Sequence, residues 1–174
     1  REQDPTIPLN FYGKTKLEAE NFLIGLNRKI LIIRLNGLYS SKLKYKNFFS
    51  YVYTCLKANE KISIVDDQIS NPVLVELMPE VILKAILLNT TGVVHYGSSN
   101  IISRYDFAKQ ICNVFNLNTL LVEKISSDNL NQLARRPLKT DLNTSKIESL
   151  LAINTYDTKF CLELIKNAKV TGIP

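Results

Sequence analysis

The feature that most limits the fold is an apolar run that follows directly on a helical segment. Residues 10–27 carry apolar side chains at near-helical spacing behind Asn10, a candidate N-cap. The next residues, Lys29-Ile30-Leu31-Ile32-Ile33-Arg34-Leu35, are few, rich in isoleucine and apolar on both faces. This pattern predicts a strand buried inside a parallel sheet. A helix that leads into such a strand is typical of a doubly wound α/β fold.

Most of the remaining chain repeats this alternation of helices and short strands. Ser103 is a predicted N-cap, and Pro79 fits the first turn of its helix. Residues 127–134 have no pattern that decides between helix and loop. We predict helices over 47–58, 75–89, 104–116, 142–151 and 158–168, and strands over 62–65, 92–97 and 119–123.

The composition is that of an ordinary globular protein and excludes several kinds of site. The apolar share is 45% and the charged share 22%, and no apolar run is long enough to span a bilayer. Cys55, Cys112 and Cys161 are odd in number and far apart, which favours free thiols in a reducing compartment, here the cytoplasm. The single histidine, His95, is expected to be a hydrogen-bonded core residue, so we expect no metal site. Because no apolar run could span a bilayer, we also expect no membrane partner.

The net charge of +6 leaves two interpretations of the basic surface. The strongest cluster is Ser41-Lys42-Leu43-Lys44-Tyr45-Lys46-Asn47-Phe48-Phe49, in which lysines stand beside aromatic residues. Such a cluster suits a nucleic-acid surface, or a solvated loop that runs into an amphipathic helix. We favour the solvated loop and expect no nucleic-acid partner. A small substrate that carries phosphate would also suit the excess positive charge.

Tyr12 and Lys16 form the pair of residues with the clearest chemical meaning. They lie four residues apart at the start of the predicted helix, so their side chains share one face. An ammonium group close to a phenol favours the phenolate and lowers the phenol's pKa. The phenol then becomes a proton donor that can work near neutral pH. The alternative for each residue is an ordinary exposed side chain.

The wider string around this pair resembles the catalytic helix of the extended short-chain dehydrogenase/reductases. It runs Pro8-Leu9-Asn10-Phe11-Tyr12-Gly13-Lys14-Thr15-Lys16-Leu17-Glu18-Ala19-Glu20. Further strings resemble segments of one branch, the dTDP-4-dehydrorhamnose reductases: Arg34–Ser40, the Asp-Gln segment Val65–Val73, Gly92–Ser99, the Ser-x-Tyr-Glu-Phe-Ala segment at Ser103–Ala108, and the Arg-Pro segment Arg135–Lys146. The strings follow the family's order along nearly the whole chain. The chain departs at Gly37, where the family often has Trp.

The resemblance makes one absence informative. Such reductases hold their dinucleotide on a Gly-rich turn, but the six glycines of this chain form no compact Gly-x-Gly-x-x-Gly spacing. The resemblance therefore implies the C-terminal part of a Rossmann-type parallel sheet together with a small α/β substrate-binding lobe. Residues 1–60 would be a remnant of the dinucleotide-binding domain, and residues 61–174 mainly the substrate-binding lobe, interleaved with the first. We expect this chain alone to bind NADPH weakly or not at all.

The same resemblance assigns candidate site residues. Tyr12 would be the proton donor, and Lys16 would tune it and hold the nicotinamide ribose of NADPH or NADH. Arg136 would grip a nucleotide-sugar diphosphate through its guanidinium fork, or alternatively close a helix end. Gln68 and Asn71 would line the substrate cleft, or only form the turn. Arg34 is expected to form a structural salt bridge, whose partner the sequence does not name.

Three functions remain open from the sequence. The leading one is NADPH-dependent reduction of a 4-keto nucleotide sugar in dTDP-rhamnose biosynthesis. The second is a non-catalytic regulatory or binding protein of the same fold, and the third is a nucleotide-sugar epimerase or dehydratase. The strand over residues 29–35 would lack cover without a front half, so we also expect a homodimer or a complementary N-terminal polypeptide as partner.

Overall fold

The computed structural model describes residues 1–26, 28–130 and 133–171. Its helices are α1 Phe11–Gly25, α2 Phe48–Lys57, α3 Met78–Leu87, α4 Arg104–Phe115, α5 Ser145–Leu151 and α6 Thr158–Thr171. Its strands are β1 Leu31–Arg34, β2 Ile62–Val65, β3 Ile69–Ser70, β4 Gly92–His95, β5 Ile102–Ser103 and β6 Val122–Ile125. The alternation of helices with short strands confirms the predicted α/β class.

Three pairs of strands organise these elements. β1 pairs in parallel with β4, and β2 pairs in parallel with β6. The two-residue strands β3 and β5 pair with each other in the antiparallel direction. Parallel strands need long crossover connections, and here α2, α3 and α4 lie within those connections.

Two apolar cores follow from this pairing. The larger core lies between β2, β6 and the helices α2, α4 and α6, and its fully buried members include Phe49, Ile111 and Leu162. The smaller core joins α3 and α5 to the β1–β4 pair through Val94 and Leu151. The chain passes back and forth between the two cores. The boundary at residue 60 stays a prediction.

Several predicted bounds are wrong for local reasons. The strand expected over 119–123 is β6, which begins at Val122, because the Asn118 side chain accepts from the backbone N–H of Leu120 and forms a 3₁₀ turn first. The helix expected from residue 142 begins at Ser145, since the Leu142 N–H donates to Asn71. Part of the stretch 127–134 forms a 3₁₀ turn over Ser127–Asn129, and residues 131–132 lie outside the described residues.

β1 is not buried on both faces in this chain, which agrees with the expectation that the strand would lack cover without a front half. Its four residues are all half-buried, and α1 beside it has no buried side chain. Among the described residues, only β4 pairs with β1, and α1 leaves Phe22 and Ile24 mostly exposed. The described residues therefore cover the apolar side chains of β1 only in part.

The two outer edges of the β1–β4 pair differ. The N–H of Gly92 donates to the carbonyl of Ile30, just before β1, and the N–H of Tyr96 donates to that of Arg34. The N–H of His95 therefore faces outward, and it donates to the Glu2 carboxylate at 3.0 Å. Lys146 Nζ donates to the outward carbonyl of Val93 at 2.6 Å. Charged side chains thus satisfy outward-facing backbone groups along the β4 edge. The outer edge of β1 has no strand partner in the ranges that the structure describes.

An ion pair attaches α1 to the sheet. Arg34 Nη2 lies 2.6 Å from Glu20 Oε2, and Arg34 Nε lies 3.0 Å from Glu20 Oε1, so the contact is bidentate. Both side chains are largely shielded from solvent, where such forked pairs are strongest. The expected salt bridge of Arg34 is confirmed, and Glu20 is its partner.

His95 is buried at the end of β4, as expected, but its hydrogen bonding is incomplete. Its Nε2 lies 3.5 Å from Arg34 Nη1, and its Nδ1 has no partner among the described residues. Burial lowers the pKa of His95, Glu2 opposes that change, and Arg34 adds to it. The ring is therefore neutral at pH 7.

Gly97 gives the first testable prediction of this fold. A Cβ at Gly97 would lie 2.2 Å from Nδ2 of Asn71, a 2% exposed amide held by hydrogen bonds to Ser98 and Leu142. The amide cannot move without losing those bonds, so Gly97→Ala should destabilise the protein by about 1–3 kcal/mol. A thermal melt should then shift down by roughly 2–4 °C per kcal/mol.

Gly25→Ala is the matched control. A Cβ at Gly25 meets no atom within 4 Å, and the residue ends α1. Alanine there should raise stability by about 0.5–1 kcal/mol, because it restricts the unfolded chain. Equal melts for the two variants would show that Asn71 does not constrain position 97.

Candidate functional site

The N-terminus of α1 presents Tyr12 and Lys16 together. Asn10 caps the helix by accepting from the N–H of Gly13 at 2.8 Å, as predicted. A Cβ at Gly13 would stand 3.1 Å from that of Pro8, so the small residue lets the chain turn tightly into the helix. Lys16 Nζ lies 5.3 Å from the centre of the Tyr12 ring, within the range of a cation–π contact. Tyr12 is 70% exposed, so its hydroxyl is accessible to a ligand.

A cleft of about 740 Å³ opens beside the larger core. One wall is the loop before α2 together with the outer face of that helix, and the other is the start of α4 with the segment around Pro72. The lining residues are Gly37, Leu38, Leu43, Lys46, Asn47, Phe48, Ser50, Tyr51, Thr54, Cys55, Ser70, Pro72, Ile102, Ser103, Arg104, Phe107 and Arg136. The cleft therefore combines aromatic, hydroxyl and cationic groups, as binding sites for polar small molecules do.

The cationic groups of the cleft lack acidic partners. Arg104 and Arg136 both line it, and neither belongs to an ion pair among the described residues. Arg104 is half-buried, with its guanidinium 5.4 Å from the centre of the Phe48 ring. Burial lowers the pKa of Arg104, and the charge of Arg136 lowers it further. An anion bound beside Arg104 would oppose this lowering of the pKa, because it favours the charged guanidinium.

A hydrogen bond connects the helix of Tyr12 to the loop of Arg136. Asn10, which caps α1, donates from Nδ2 to the carbonyl of Arg135 at 2.9 Å. Tyr12 itself is not among the residues that line the cleft. The structure thus joins the predicted proton donor and the predicted diphosphate residue through adjacent residues.

Asn71 and Gln68 lie behind the cleft wall. Asn71 is buried, and its amide donates to the carbonyls of Ser98 and Leu142 and accepts from the N–H of Leu142. Gln68 is buried, and its backbone carbonyl accepts from the backbone N–H of Arg104 at 3.1 Å. Neither lines the cleft. Of their two predicted roles, these contacts favour the structural one.

The structure adds cleft residues that the sequence analysis missed. Arg104 stands at a position that the family motif leaves open, and Lys46 and Phe48 belong to the basic aromatic cluster interpreted as a solvated loop. That cluster is partly solvated, but its end forms a cleft wall. The alternation of lysines with aromatic residues was the signal that pointed to a ligand surface.

Other kinds of site find no support in the described residues. They contain no group of three or more His, Cys, Asp or Glu side chains placed to hold a metal ion. None of the described helices is long and apolar enough to cross a membrane. The three cysteines are free, with Cys112 and Cys161 buried and Cys55 half-buried in the cleft wall.

Comparisons with known proteins agree with these features. Residues 1–167 match the RmlD substrate binding domain. The dTDP-4-dehydrorhamnose reductase of Escherichia coli K12 is 30% identical to this chain in an alignment 183 positions long. The alignment covers 98% of this chain and 60% of that protein. The matched relatives are therefore considerably longer than this chain.

Two crystal structures show the same fold. The dTDP-4-dehydrorhamnose reductase of Bacillus anthracis, solved in complex with NADP, superposes with a TM-score of 0.88 at 26% identity, covering 95% of this chain and 58% of that one. The corresponding protein of Clostridium acetobutylicum gives a TM-score of 0.87 at 29% identity, covering 97% and 59%. The chain belongs to the RmlD family of dTDP-4-dehydrorhamnose reductase homologues and corresponds to about three fifths of their length.

Proposed function

We propose that this chain supplies the proton-donor helix and the nucleotide-sugar cleft of an NADPH-dependent reductase acting on a dTDP-linked 4-keto sugar. The observation that carries the proposal is a cleft with two arginines that lack acidic partners, tied through Asn10 and Arg135 to the helix of Tyr12 and Lys16. Membership in the RmlD family supports the substrate class. The free thiols suit a cytoplasmic enzyme.

The residues of this chain would act on the sugar as follows. Bound NADPH would supply the hydride that reduces the C4 carbonyl. The carbonyl oxygen then becomes an alkoxide, to which Tyr12 gives its phenolic proton. The Lys16 ammonium, on the same face of α1, stabilises the resulting phenolate. Arg136 holds the diphosphate and thereby fixes the sugar's position.

The described residues fit only part of a dinucleotide site. Tyr12 and Lys16 are exposed and suit the nicotinamide ribose. A Gly-rich turn for the pyrophosphate is missing from the sequence. The second candidate is a non-catalytic binding protein of the same fold, which would use the cleft alone. An epimerase or dehydratase gains no specific support.

Titration with dTDP-rhamnose, the product of the proposed reduction, tests the cleft directly. We expect the chain to bind it, and Arg136→Gln to weaken binding about 10- to 100-fold, since a hydrogen bond to a charged group contributes roughly 1.5–3 kcal/mol. Arg28→Gln, which makes the same charge change outside the cleft, should bind normally. Absence of binding by the wild-type chain would refute the proposed substrate class.

We also propose that a partner covers the open edge of β1 and the exposed apolar side chains of α1. A second copy or a complementary N-terminal polypeptide would fit, because an unpaired strand edge beside exposed apolar residues favours association. Light scattering of the isolated chain at micromolar concentration should therefore show a dimer or larger species. Ile24→Lys should reduce association, because Ile24 is 58% exposed in α1.

Leu120→Lys is the control for this experiment. Leu120 is 85% exposed on the 3₁₀ turn before β6, away from β1. The same charge at this position should leave association unchanged. A wild-type monomer with a cooperative melt would show that the open edge needs no partner.

A further inference from the structure

Arg104 is the cleft residue to which the family resemblance assigns no role. It occupies the open position of the Ser-x-Tyr segment and begins α4. We infer that Arg104 and Arg136 together clamp a diphosphate, and that Arg104 makes the cleft select nucleoside diphosphates over monophosphates. This inference rests on the proposed function, since it requires a nucleotide ligand in that cleft.

The surroundings of Arg104 hold its guanidinium in place. Its backbone N–H donates to the carbonyl of the buried Gln68 at 3.1 Å. Its guanidinium lies over the ring of Phe48, which stacks on the buried Phe107 with ring centroids 5.7 Å apart and an interplanar angle of 18°. A packed aromatic pair thus supports the cation from one side. The supported guanidinium is ready to meet an anion without first being ordered.

The charges around Arg104 favour an anion with more than one phosphate. No ion pair in the described ranges includes Arg104 or Arg136, so both charges are available to a ligand. The two guanidiniums oppose each other electrostatically until an anion lies between them. A monophosphate can be held by Arg136 alone, whereas the second phosphate of a diphosphate engages Arg104. The Arg135 carbonyl, bound by Asn10, keeps the loop of Arg136 near this position.

The test compares dTDP with dTMP by calorimetry, using the chain as it is. We expect wild type to prefer dTDP at least tenfold. Arg104→Gln should lose most of that preference by weakening dTDP binding at least tenfold while leaving dTMP binding within about threefold. Arg104→Lys, which keeps a charge but lacks the planar fork, should also lose much of the preference. Arg28→Gln should retain it.

The outcomes separate this inference from the proposed function. A wild-type chain that binds neither nucleotide would refute the proposed nucleotide cleft, and the clamp with it. Binding of dTDP that is unchanged in Arg104→Gln would refute the clamp alone. An equal loss for dTDP and dTMP would also refute it, because a general charge effect does not distinguish the two ligands. Thermal melts of each variant establish that it is folded before titration.

Discussion

Replacing Tyr12 with Phe should lower the turnover of a dTDP-linked 4-keto sugar by about 10²- to 10⁴-fold in a protein that contains this chain and a dinucleotide-binding part. This is the usual contribution of general acid catalysis. The substitution removes one hydroxyl from a side chain that is 70% exposed, so folding should be unaffected. Steady-state kinetics with NADPH oxidation as the readout measures the loss.

Two controls make the result specific to Tyr12. Tyr45 is also exposed and has a lysine, Lys44, 5.2 Å from its ring centre, but it lies in the loop before α2 and not at the start of α1. Tyr45→Phe should therefore turn over normally. Lys16→Ala should lower turnover by a similar order of magnitude to Tyr12→Phe. Lys14 is exposed on another face of α1, so Lys14→Ala should change turnover little. Near-wild-type turnover by Tyr12→Phe would show that another group protonates the sugar.

The second large effect concerns the cofactor. We expect NADPH to bind this chain too weakly to detect at micromolar concentration. A dinucleotide site depends on backbone N–H groups and the positive end of a helix dipole at a Gly-rich turn. The six glycines of this chain provide no such turn, and Tyr12 and Lys16 alone would contact only the nicotinamide end. The Bacillus anthracis relative, which was solved with NADP, extends well beyond the region matched by this chain.

The elements that the sequence predicts best are those with strong local signals. Asn10, Ser103 and Pro79 mark helix starts that the structure confirms, because capping and the proline ring act through adjacent residues. The strand over residues 62–65 is confirmed as β2. These signals need no knowledge of the tertiary fold.

Features that depend on distant contacts were less predictable. The sequence shows β1 as an interior strand, but its burial depends on cover that lies outside the pattern itself. Arg104 could not be assigned from the motif, since its proposed role depends on Phe48 and Arg136, which line the same cleft but are distant in the sequence. Asn71 was a candidate for the cleft, and its long-range bonds to Ser98 and Leu142 became visible only in three dimensions.

We propose that this chain carries a nucleotide-sugar cleft and, by itself, binds the dinucleotide weakly or not at all. A paired calorimetric titration of the wild-type chain with dTDP-rhamnose and with NADPH tests it most directly. We expect stoichiometric binding of dTDP-rhamnose and no measurable heat from NADPH at the same concentration. Tight binding of NADPH, or the absence of dTDP-rhamnose binding by a folded chain, would contradict it.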